Sequence, residues 1–359
     1  MSEKNEPSDQ TPWMIYGAYG YTGELIAREA VRRGLNPVLA GRNLVKTQAL
    51  AGELGLEAVG FSLDNVEQAA RHLQGVSLVL NCAGPFSATA EPMMTACIAA
   101  RAHYLDITGE IAVFELAQSL NGEASAAGVV LCPGVGFDVI PTDCVAAALK
   151  AALPDATHLA LGFDSRSGFS PGTAKTSVEG LAQGGKVRRD GKLETVPLAY
   201  RVRRIDFGDG EKDAMTIPWG DVSTAYHSTG IPNIEVFIPG TPRLITSARR
   251  ANYIRPLLGI QPVQKLIKAH IARTVNGPDR EQREKMPSFV WGEATNARGE
   301  KKTARIRTAN GYSLTVTGSL YIVEHLIRNR PAGGAYTPST LVGPDLVSQL
   351  PDSGNLEIT

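Results

Sequence analysis

The chain has 359 residues, of which 43% are hydrophobic and 20% charged, the proportions of an ordinary folded protein that is long enough for two domains. Its 36 basic and 36 acidic side chains cancel, which argues against a nucleic-acid-binding or anionic-membrane surface. No apolar run is long enough to cross a bilayer, so we expect no membrane span. The polar start predicts a disordered tail over residues 1–12 and no signal peptide. Four cysteines without C-x-x-C spacing predict reduced thiols, no metal site and a cytoplasmic location.

A glycine-rich turn lies between the first predicted strand and the first predicted helix. The apolar run Trp13 to Tyr16 leads into it, and a 3.6-residue period of apolar side chains follows it. In such a unit the helix N-terminus points free N–H groups at a pyrophosphate, although a glycine turn can also be only a turn. The G-x-x-G-x-x-G spacing is one residue off the commoner dinucleotide fingerprint. The predicted cofactor contacts in this turn are Gly17, Tyr19, Gly20, Tyr21, Thr22 and Gly23.

Strands and helices alternate up to about residue 150, which predicts an α/β fold with a doubly wound parallel sheet of the Rossmann type. The predicted strands after the first are 36–40, 56–59, 76–82, 103–106 and 129–132. The predicted helices between them are 44–54, 66–73, 91–101 and 111–127. Ligands of such sheets bind beyond the carboxyl ends of the strands, so the strand ends are the expected site.

The end of the second strand carries a cation where NAD-binding units usually place a carboxylate. Arg42, followed by Asn43, suits a 2′-phosphate, whereas the simpler interpretation is a solvent-exposed arginine. After the third strand, Asp64 either approaches the adenine or caps the helix that starts near Val66.

The next three strand ends supply further candidates. A Gly-Pro loop after the fourth strand predicts that Ala83, Gly84, Pro85 and Phe86 lie along the ribose and nicotinamide. After the fifth strand, Asp106 and Glu110 form either a carboxylate pair for proton transfer or, as is more common, caps of the next helix. The sixth strand leads into a turn that contains Asp138, a further candidate proton donor, and a helix start at Pro141.

The pattern changes after Pro154. Short strands, a hairpin at Asp190-Gly191 and long loops predict an α+β domain with a mixed, mostly antiparallel sheet. Helical patterns follow near 172–182, 256–273 and 312–327, and strands are predicted at 157–163, 234–238, 288–294 and 303–307. The expected domains are a Rossmann domain over 13–153, a substrate domain over 154–310 and a C-terminal helix and tail over 311–359 that returns to the first domain.

Polar residues of the second half are expected to face the cofactor across a cleft. Lys175 after a glycine turn suits a substrate carboxylate, and Tyr226 and His227 on a glycine-punctuated loop are candidate proton donors. Each of these residues also has a simpler interpretation as a surface lysine, a packed ring or a lone loop histidine. The cluster Arg201, Arg203 and Arg204 is typical of a solvated strand face.

Five sequence blocks carry a family resemblance. GAYGYTG, AGRN, NCAGPF, YLDITGE and GFDVIPTD, within about the first 145 residues, resemble the saccharopine dehydrogenase-like oxidoreductases, a group that includes trans-acting enoyl reductases. The resemblance implies an NADP(H)-binding Rossmann domain with an inserted α+β domain, and it leaves the substrate open. GTAKTS, GYSLTV and AYTPSTLVG resemble the second half of the family more loosely.

The leading functional hypothesis is an NADP(H)-dependent oxidoreductase acting on a small carbonyl, imine or activated C=C bond. No tyrosine is followed four residues later by lysine, so the short-chain dehydrogenase proton relay is missing. The alternative is a non-catalytic NADP(H) sensor or interaction protein that kept the fold. The expected partners are a small-molecule substrate and a second copy of the chain in a homodimer.

Overall fold

A computed structural model describes residues 12–165, 182–258, 260, 263–264 and 286–359. The predicted tail, Lys175 and most of the predicted helix over 256–273 lie outside the described residues.

The first half of the chain alternates strands with helices, as its sequence predicts. The strands are β1 (Trp13–Tyr16), β2 (Val38–Gly41), β3 (Ala58–Gly60), β4 (Leu78–Asn81), β5 (His103–Asp106) and β6 (Val130–Cys132). The helices are α1 (Tyr21–Arg32), α2 (Leu44–Leu54), α3 (Val66–His72), α4 (Phe86–Ala100), α5 (Ile111–Ser119), α6 (Asn121–Ala127) and α7 (Ile140–Ala152). The largest differences from the predicted bounds are that α4 begins five residues early and that the predicted helix over 111–127 is divided at Leu120. The ends of β2, β3, β4 and β6 differ from prediction by one or two residues.

The second half is richer in strands. The strands are β7 (Ala156–Ser165), β8 (Gly185–Arg189), β9 (Lys192–Val196), β10 (Val202–Asp206), β11 (Glu211–Thr216), β12 (Asn233–Pro239), β13 (Ser288–Asn296) and β14 (Lys301–Thr308). The helices are α8 (Asp221–Thr229), α9 (Pro242–Leu258) and α10 (Gly311–Arg328). The tail adds β15 (Gly334–Ala335), α11 (Pro338–Val342), α12 (Leu346–Gln349) and β16 (Glu357–Ile358).

The first sheet is the predicted doubly wound parallel sheet. Within the described residues its order is β15-β6-β5-β4-β1-β2-β3, and every neighbouring pair is parallel. The direction of winding reverses between β1 and β4, which makes their carboxyl ends the switch point where ligands of such sheets bind.

The second sheet is mixed and mostly antiparallel, also as predicted. Its order is β10-β11-β12-β7-β13-β14-β16, with the β8–β9 hairpin attached to β12, and only the β12–β7 pair is parallel among the described strands. Asp190 and Gly191 form the hairpin turn with φ values of 48° and 77°, the left-handed conformation that a two-residue turn requires.

The two sheets share one hydrophobic core. Helix α7 leaves the first sheet and packs on β13, where a Cβ at Gly292 would lie 2.5 Å from Val145. Ile15, Val145 and Val290 belong to the same buried cluster. The tail joins both halves, since β15 extends the first sheet and β16 pairs with β14, so the domain limits stay a prediction.

The described helices include none that is long and apolar enough to cross a membrane.

Candidate cofactor and active site

The turn after β1 has the geometry that its three glycines require. Gly17 has a φ of +79°, and a Cβ there would lie 2.8 Å from the backbone nitrogen of Ala83. A Cβ at Gly23 would lie 2.5 Å from the carbonyl oxygen of Gly17, so α1 packs on the turn only because this side chain is absent. Gly20, the N-cap of α1, has ordinary extended angles, and no described side chain caps this helix. The N–H groups of the first turn of α1 are therefore in place for an anion.

Two matched substitutions separate packing from binding in this turn. Gly23→Ala is expected to lower the free energy of unfolding by about 2 kcal/mol or more, because the added methyl meets backbone atoms that cannot move away. Gly20→Ala is expected to cost less than about 1 kcal/mol and yet to weaken NADPH binding, because its methyl would lie where the pyrophosphate approaches. Urea unfolding and NADPH titration of both variants test this, and equal effects on stability would contradict it.

An open depression of about 520 Å³ lies beside the end of β2 and is lined by Tyr19, Arg42, Asn43, Leu44 and Val45. Arg42 is exposed and makes no hydrogen bond or ion pair with the rest of the described chain. The Tyr19 ring rests on Gly41, where a Cβ would lie 2.6 Å from Cε1 of the ring. Lys46 Nζ lies 6.0 Å from the centroid of the same ring. A cationic depression at the end of β2 fits the ribose phosphate of NADP(H).

Asn43 and Asp64 have local structural partners. Asn43 Oδ1 caps α2 by accepting the N–H of Lys46 at 3.0 Å. Asn65, and not Asp64, caps α3, so the capping interpretation of Asp64 is wrong. Asp64 instead accepts the hydroxyl of Ser62 at 2.5 Å. The predicted approach of Asp64 to the adenine stays a prediction.

Three side chains hold the loop after β4 by hydrogen bonds to its backbone. Asn81 Oδ1 accepts the N–H of Ala83 at 3.0 Å, and the Thr89 hydroxyl donates to the Ala83 carbonyl at 2.6 Å. The Glu110 carboxylate accepts the N–H groups of Phe86 and Ser87 at 3.0 and 2.7 Å. Glu110 therefore caps α4, whereas the sequence suggested a cap of the helix that follows it. The Gly84–Pro85 peptide bond in this loop is cis.

We expect Glu110→Ala to lower the free energy of unfolding by about 1–2 kcal/mol, because two N–H groups at the start of α4 lose a charged acceptor. Glu67→Ala is the matched control, since Glu67 is an exposed acidic residue in the first turn of α3. Chemical denaturation measures both variants. A loss for Glu110→Ala no larger than that for Glu67→Ala would mean that the cap contributes nothing.

Asp106 joins the ends of β5 and β6. Its buried carboxylate accepts the Tyr104 hydroxyl at 2.6 Å and the N–H groups of Thr108 and Gly134 at 3.0 and 2.8 Å. Burial raises the pKa of Asp106 to about 6, against the lowering effect of these hydrogen bonds. Asp106 and Glu110 thus each have structural partners, but neither side chain caps α5, so the predicted cap of the helix that follows them is wrong.

Asp138, in the turn after β6, is a third acidic residue at these strand ends and differs from Asp106 and Glu110 in its surroundings. Its carboxylate borders Gly109, where a Cβ would lie 3.2 Å from Oδ2, and it has no hydrogen-bond partner among the described residues. Desolvation by burial raises the pKa of Asp138 to about 7, although part of the residue remains accessible. Its backbone carbonyl accepts the indole N–H of Trp219 at 3.0 Å, which fixes the turn after β6 to the second half of the chain.

An aromatic cluster lies beside Asp138 and bridges the two sheets. The rings of Phe137 and Phe163 are 5.7 Å apart, and those of Phe163 and Trp219 are 5.1 Å apart. Helix α10 supports the cluster, because the Thr315 hydroxyl accepts the N–H of Phe137 at 3.0 Å. These rings form an apolar wall next to a carboxyl of near-neutral pKa, a combination typical of acid–base sites.

Tyr226 and His227 lie on helix α8, so the loop predicted for them is wrong. The Arg188 guanidinium lies 4.3 Å from the centroid of the Tyr226 ring and donates to Glu115 Oε1 at 2.5 Å. His227 Nε2 lies 3.7 Å from the same carboxylate oxygen, which also accepts the Ser223 hydroxyl. His227, Ser223 and Arg188 together lower the pKa of Glu115 to about 2.

Arg188 is a buried cation that the sequence did not single out. It is 5% exposed and donates to the carbonyls of Val222 and Gly191 as well as to Glu115. Of the arginines that the sequence assigned to a solvated strand face, Arg201 and Arg204 are exposed and pair with Glu235 and Glu211. Arg203 differs, because it is half-buried over the Phe237 and Trp291 rings and pairs with Glu293.

The fold and the turn after β1 define a dinucleotide-binding protein of the Rossmann class. Residues 13–132 match the family described as the saccharopine dehydrogenase NADP binding domain, which confirms the resemblance carried by the motifs. Residues 13–132 are therefore a saccharopine dehydrogenase-type NADP-binding domain, and NADP(H) is the cofactor that this match supports.

Two relatives and one solved structure extend the comparison. Human saccharopine dehydrogenase-like oxidoreductase is 30% identical over 158 residues, which cover 38% of this chain and 37% of that protein. A protein of Mycobacterium tuberculosis named as a candidate trans-acting enoyl reductase is 29% identical over 185 residues, which cover 47% of this chain and 44% of that protein. These matches span less than half of each relative.

The fold likeness is wider than the sequence likeness. Apo saccharopine dehydrogenase (L-Glu forming) from Saccharomyces cerevisiae superposes with a TM-score of 0.63 at 11% identity, over 97% of this chain and 100% of that chain. At this identity the likeness shows the fold, which includes both the Rossmann sheet and the second sheet.

Proposed function

We propose that this protein is an NADP(H)-dependent oxidoreductase that transfers hydride to or from a small carbonyl, imine or activated C=C substrate. Bound NADPH would supply the hydride in reduction, and bound NADP+ would accept it in oxidation. The observation that carries the proposal is Asp138, a carboxyl with a pKa raised to about 7 at the carboxyl ends of β5 and β6, beside an apolar wall. A non-catalytic sensor has no need for such a group at this place.

The cofactor contacts follow the switch point of the sheet. The N–H groups at the start of α1, from Tyr21, Thr22 and Gly23, would bind the pyrophosphate, and Gly20 would let it approach. Arg42 would bind the 2′-phosphate beside Tyr19 and Asn43, and Asp64 would lie toward the adenine. The loop of Ala83, Gly84, Pro85 and Phe86 would lie along the ribose and nicotinamide, where Glu110 and Asn81 hold its shape.

Asp138 is the proton donor that the geometry favours. A general acid works best when its pKa lies near the working pH, and burial brings Asp138 to that value. Tyr226 and His227 remain alternative donors, but the Arg188 guanidinium covers the Tyr226 ring and the Glu115 carboxylate lies 3.7 Å from His227 Nε2. Lys175 is retained as a candidate for binding a substrate carboxylate.

NADPH titration followed by a screen for NADPH consumption tests the proposal. The screen uses ketones and aldehydes, imines formed from amino acids, and enones, each in the presence of the full-length protein. Turnover in one of these classes is expected. Lys175→Ala, Tyr226→Phe and His227→Ala then locate the other groups that the reaction needs.

Tight NADPH binding without turnover in any class, in either direction, would favour the alternative of an NADP(H)-binding sensor or interaction protein. The cytoplasmic location and the homodimer also stay proposals, which cell fractionation and light scattering of the purified protein would test.

A further inference from the structure

Helix α8 carries three buried polar atoms that have no hydrogen-bond partner among the described residues. They are Asp221 Oδ2, Thr224 Oγ1 and His227 Nε2. Asp221 is 0% exposed and Thr224 is 1% exposed. The three residues are spaced three apart along the helix, so their side chains project from neighbouring positions on one side.

Buried polar atoms are nearly always hydrogen-bonded, and ordered water is the usual partner when protein groups are lacking. Side chains three residues apart on a helix have Cβ atoms about 5–6 Å apart. A single water can bridge the polar ends of neighbouring side chains when they lie about 5 Å apart, because each hydrogen bond is about 2.8 Å long. The i, i+3 positions of the three residues therefore suit a row of single bridging waters.

One end of this row borders the candidate active site. Gly220, the N-cap of α8, packs on Gly109, and a Cβ at Gly220 would lie 3.0 Å from the Gly109 carbonyl oxygen. The carboxylate of Asp138 borders the same glycine. Asp221, the first residue of α8, is thus next to the turn that holds Asp138, and the Asp138 charge raises the pKa of Asp221 in addition to the larger effect of burial.

The other end of the row reaches solvent. The His227 side chain is 24% exposed, whereas its Nε2 atom is buried. An imidazole can take a proton at one ring nitrogen and release one at the other, so His227 can pass a proton between the interior and solvent.

We propose that Asp221, Thr224 and His227 bind a row of ordered waters that conducts protons between Asp138 and the solvent-exposed side of His227. The inference rests on the proposed function. Reduction of an acceptor consumes one hydride and one proton; Asp138 gives the proton, and the row returns one proton from solvent to Asp138. No electrons move along the row, and oxidation of the product uses it in the opposite direction.

Burial favours a protonated Asp221. It raises the pKa of Asp221 well above its usual range, against the lowering effect of the Thr142 hydroxyl, which donates to Asp221 Oδ1 at 2.5 Å. Since Oδ1 accepts from Thr142, Oδ2 is the carboxyl oxygen left for the first water of the row.

A crystal structure of the wild type at high resolution tests the row directly. We expect one ordered water between Asp221 Oδ2 and Thr224 Oγ1 and another between Thr224 Oγ1 and His227 Nε2. The absence of ordered water at these atoms, or a Thr224 hydroxyl whose only hydrogen bond is to a backbone carbonyl of α8, would overturn the proposal. This result decides the matter even if a variant fails to fold.

Infrared spectroscopy tests conduction. The carboxyl band of protonated Asp221 is identified by its loss in Asp221→Asn, and its exchange after transfer to D₂O is timed. Thr224→Val is expected to slow this exchange by about tenfold or more, because one bridging hydrogen bond is lost. Thr224→Ser, which keeps the hydroxyl, should restore the rate, and the exposed Thr246→Val serves as the control.

An exchange rate that is unchanged in Thr224→Val would also overturn the row. Both experiments are done on the protein without substrate or NADPH. Failure of the row is therefore distinguishable from failure of the proposed oxidoreductase activity, which the NADPH consumption screen reports.

Discussion

Replacing Asp138 with asparagine is expected to slow turnover by about 100-fold or more at unchanged NADPH affinity, the usual range for loss of a general acid. The amide has nearly the same shape as the carboxyl but cannot transfer a proton. Since the carboxylate has no hydrogen-bond partner among the described residues, the substitution breaks no structural bond that they provide. The measurements are kcat with the acceptor found in the screen and the Kd for NADPH.

Asp213→Asn is the matched control, because Asp213 is an exposed aspartate on β11. A kcat for Asp138→Asn within about threefold of the wild type would remove Asp138 from the reaction, since a general acid contributes far more. The donor would then be sought among Tyr226, His227 and Lys175.

The same carboxyl predicts the pH dependence of the reaction. The pKa of Asp138 is raised from its ordinary 3.8 to about 7. The protonated form is the donor, so the rate of reduction should be constant below about pH 7 and fall about tenfold per pH unit above it. Oxidation, which needs the carboxylate, should rise through the same pH range.

The raised pKa of Asp138 also predicts how the free energy of unfolding changes with pH. A carboxyl whose folded pKa lies above its unfolded value disfavours the folded state once it ionises. The penalty of Asp138 therefore grows as the pH rises from about 4 to about 7 and is constant above that range. Carbon-13 NMR of the labelled carboxyl gives the folded pKa, and a value near 4 would contradict both parts of the prediction.

Removing the Arg42 side chain should reduce the preference for NADPH over NADH by about ten- to a hundredfold. A hydrogen bond to a charged group contributes roughly 1.5–3 kcal/mol, and a tenfold affinity ratio corresponds to about 1.4 kcal/mol. The exposure of Arg42 should place the effect toward the lower figure. Arg42 makes no ion pair with the described chain, so the guanidinium is available for the phosphate.

Titration of Arg42→Ala with both cofactors measures this ratio. Arg330→Ala is the control, an exposed arginine after the end of α10. The affinity for NADH should change little in either variant, because NADH has no 2′-phosphate. An unchanged NADPH to NADH ratio in Arg42→Ala would mean that Arg42 is a surface charge and that Asn43, Lys46 or the Gly20 turn sets the preference.

Local patterns were sufficient wherever a short segment carried its own reason to fold. Helix α2 begins and ends at the predicted residues, since Asn43 caps it and Gly55 ends it in the left-handed conformation. The Asp190-Gly191 hairpin and strand β5 were also predicted with the right bounds. The position of Gly17, Gly20 and Gly23 in a turn followed from the same kind of evidence.

The sequence also contains helix signals for α8 and α9. Gly230 ends α8 in the left-handed conformation, which is how a glycine commonly ends a helix, so the glycines around Tyr226 and His227 mark helix ends. Thr241-Pro242 is a helix start signal, and α9 begins there although the helix predicted in this part of the chain starts only at residue 256.

The sequence by itself determined the Rossmann sheet, the glycine turn, the NADP-binding domain and the mixed second sheet, because strand patterns, turn residues and motifs act over a few neighbouring positions. Only the tertiary structure decided the roles of the ionisable residues. Glu110 caps a helix that begins 24 residues earlier in the chain, and the buried Arg188 pairs with a glutamate 73 residues earlier. Asp138 owes its raised pKa to burial between the two halves of the chain. Desolvation and charge pairing depend on which distant segments meet, and no short stretch of sequence contains that information.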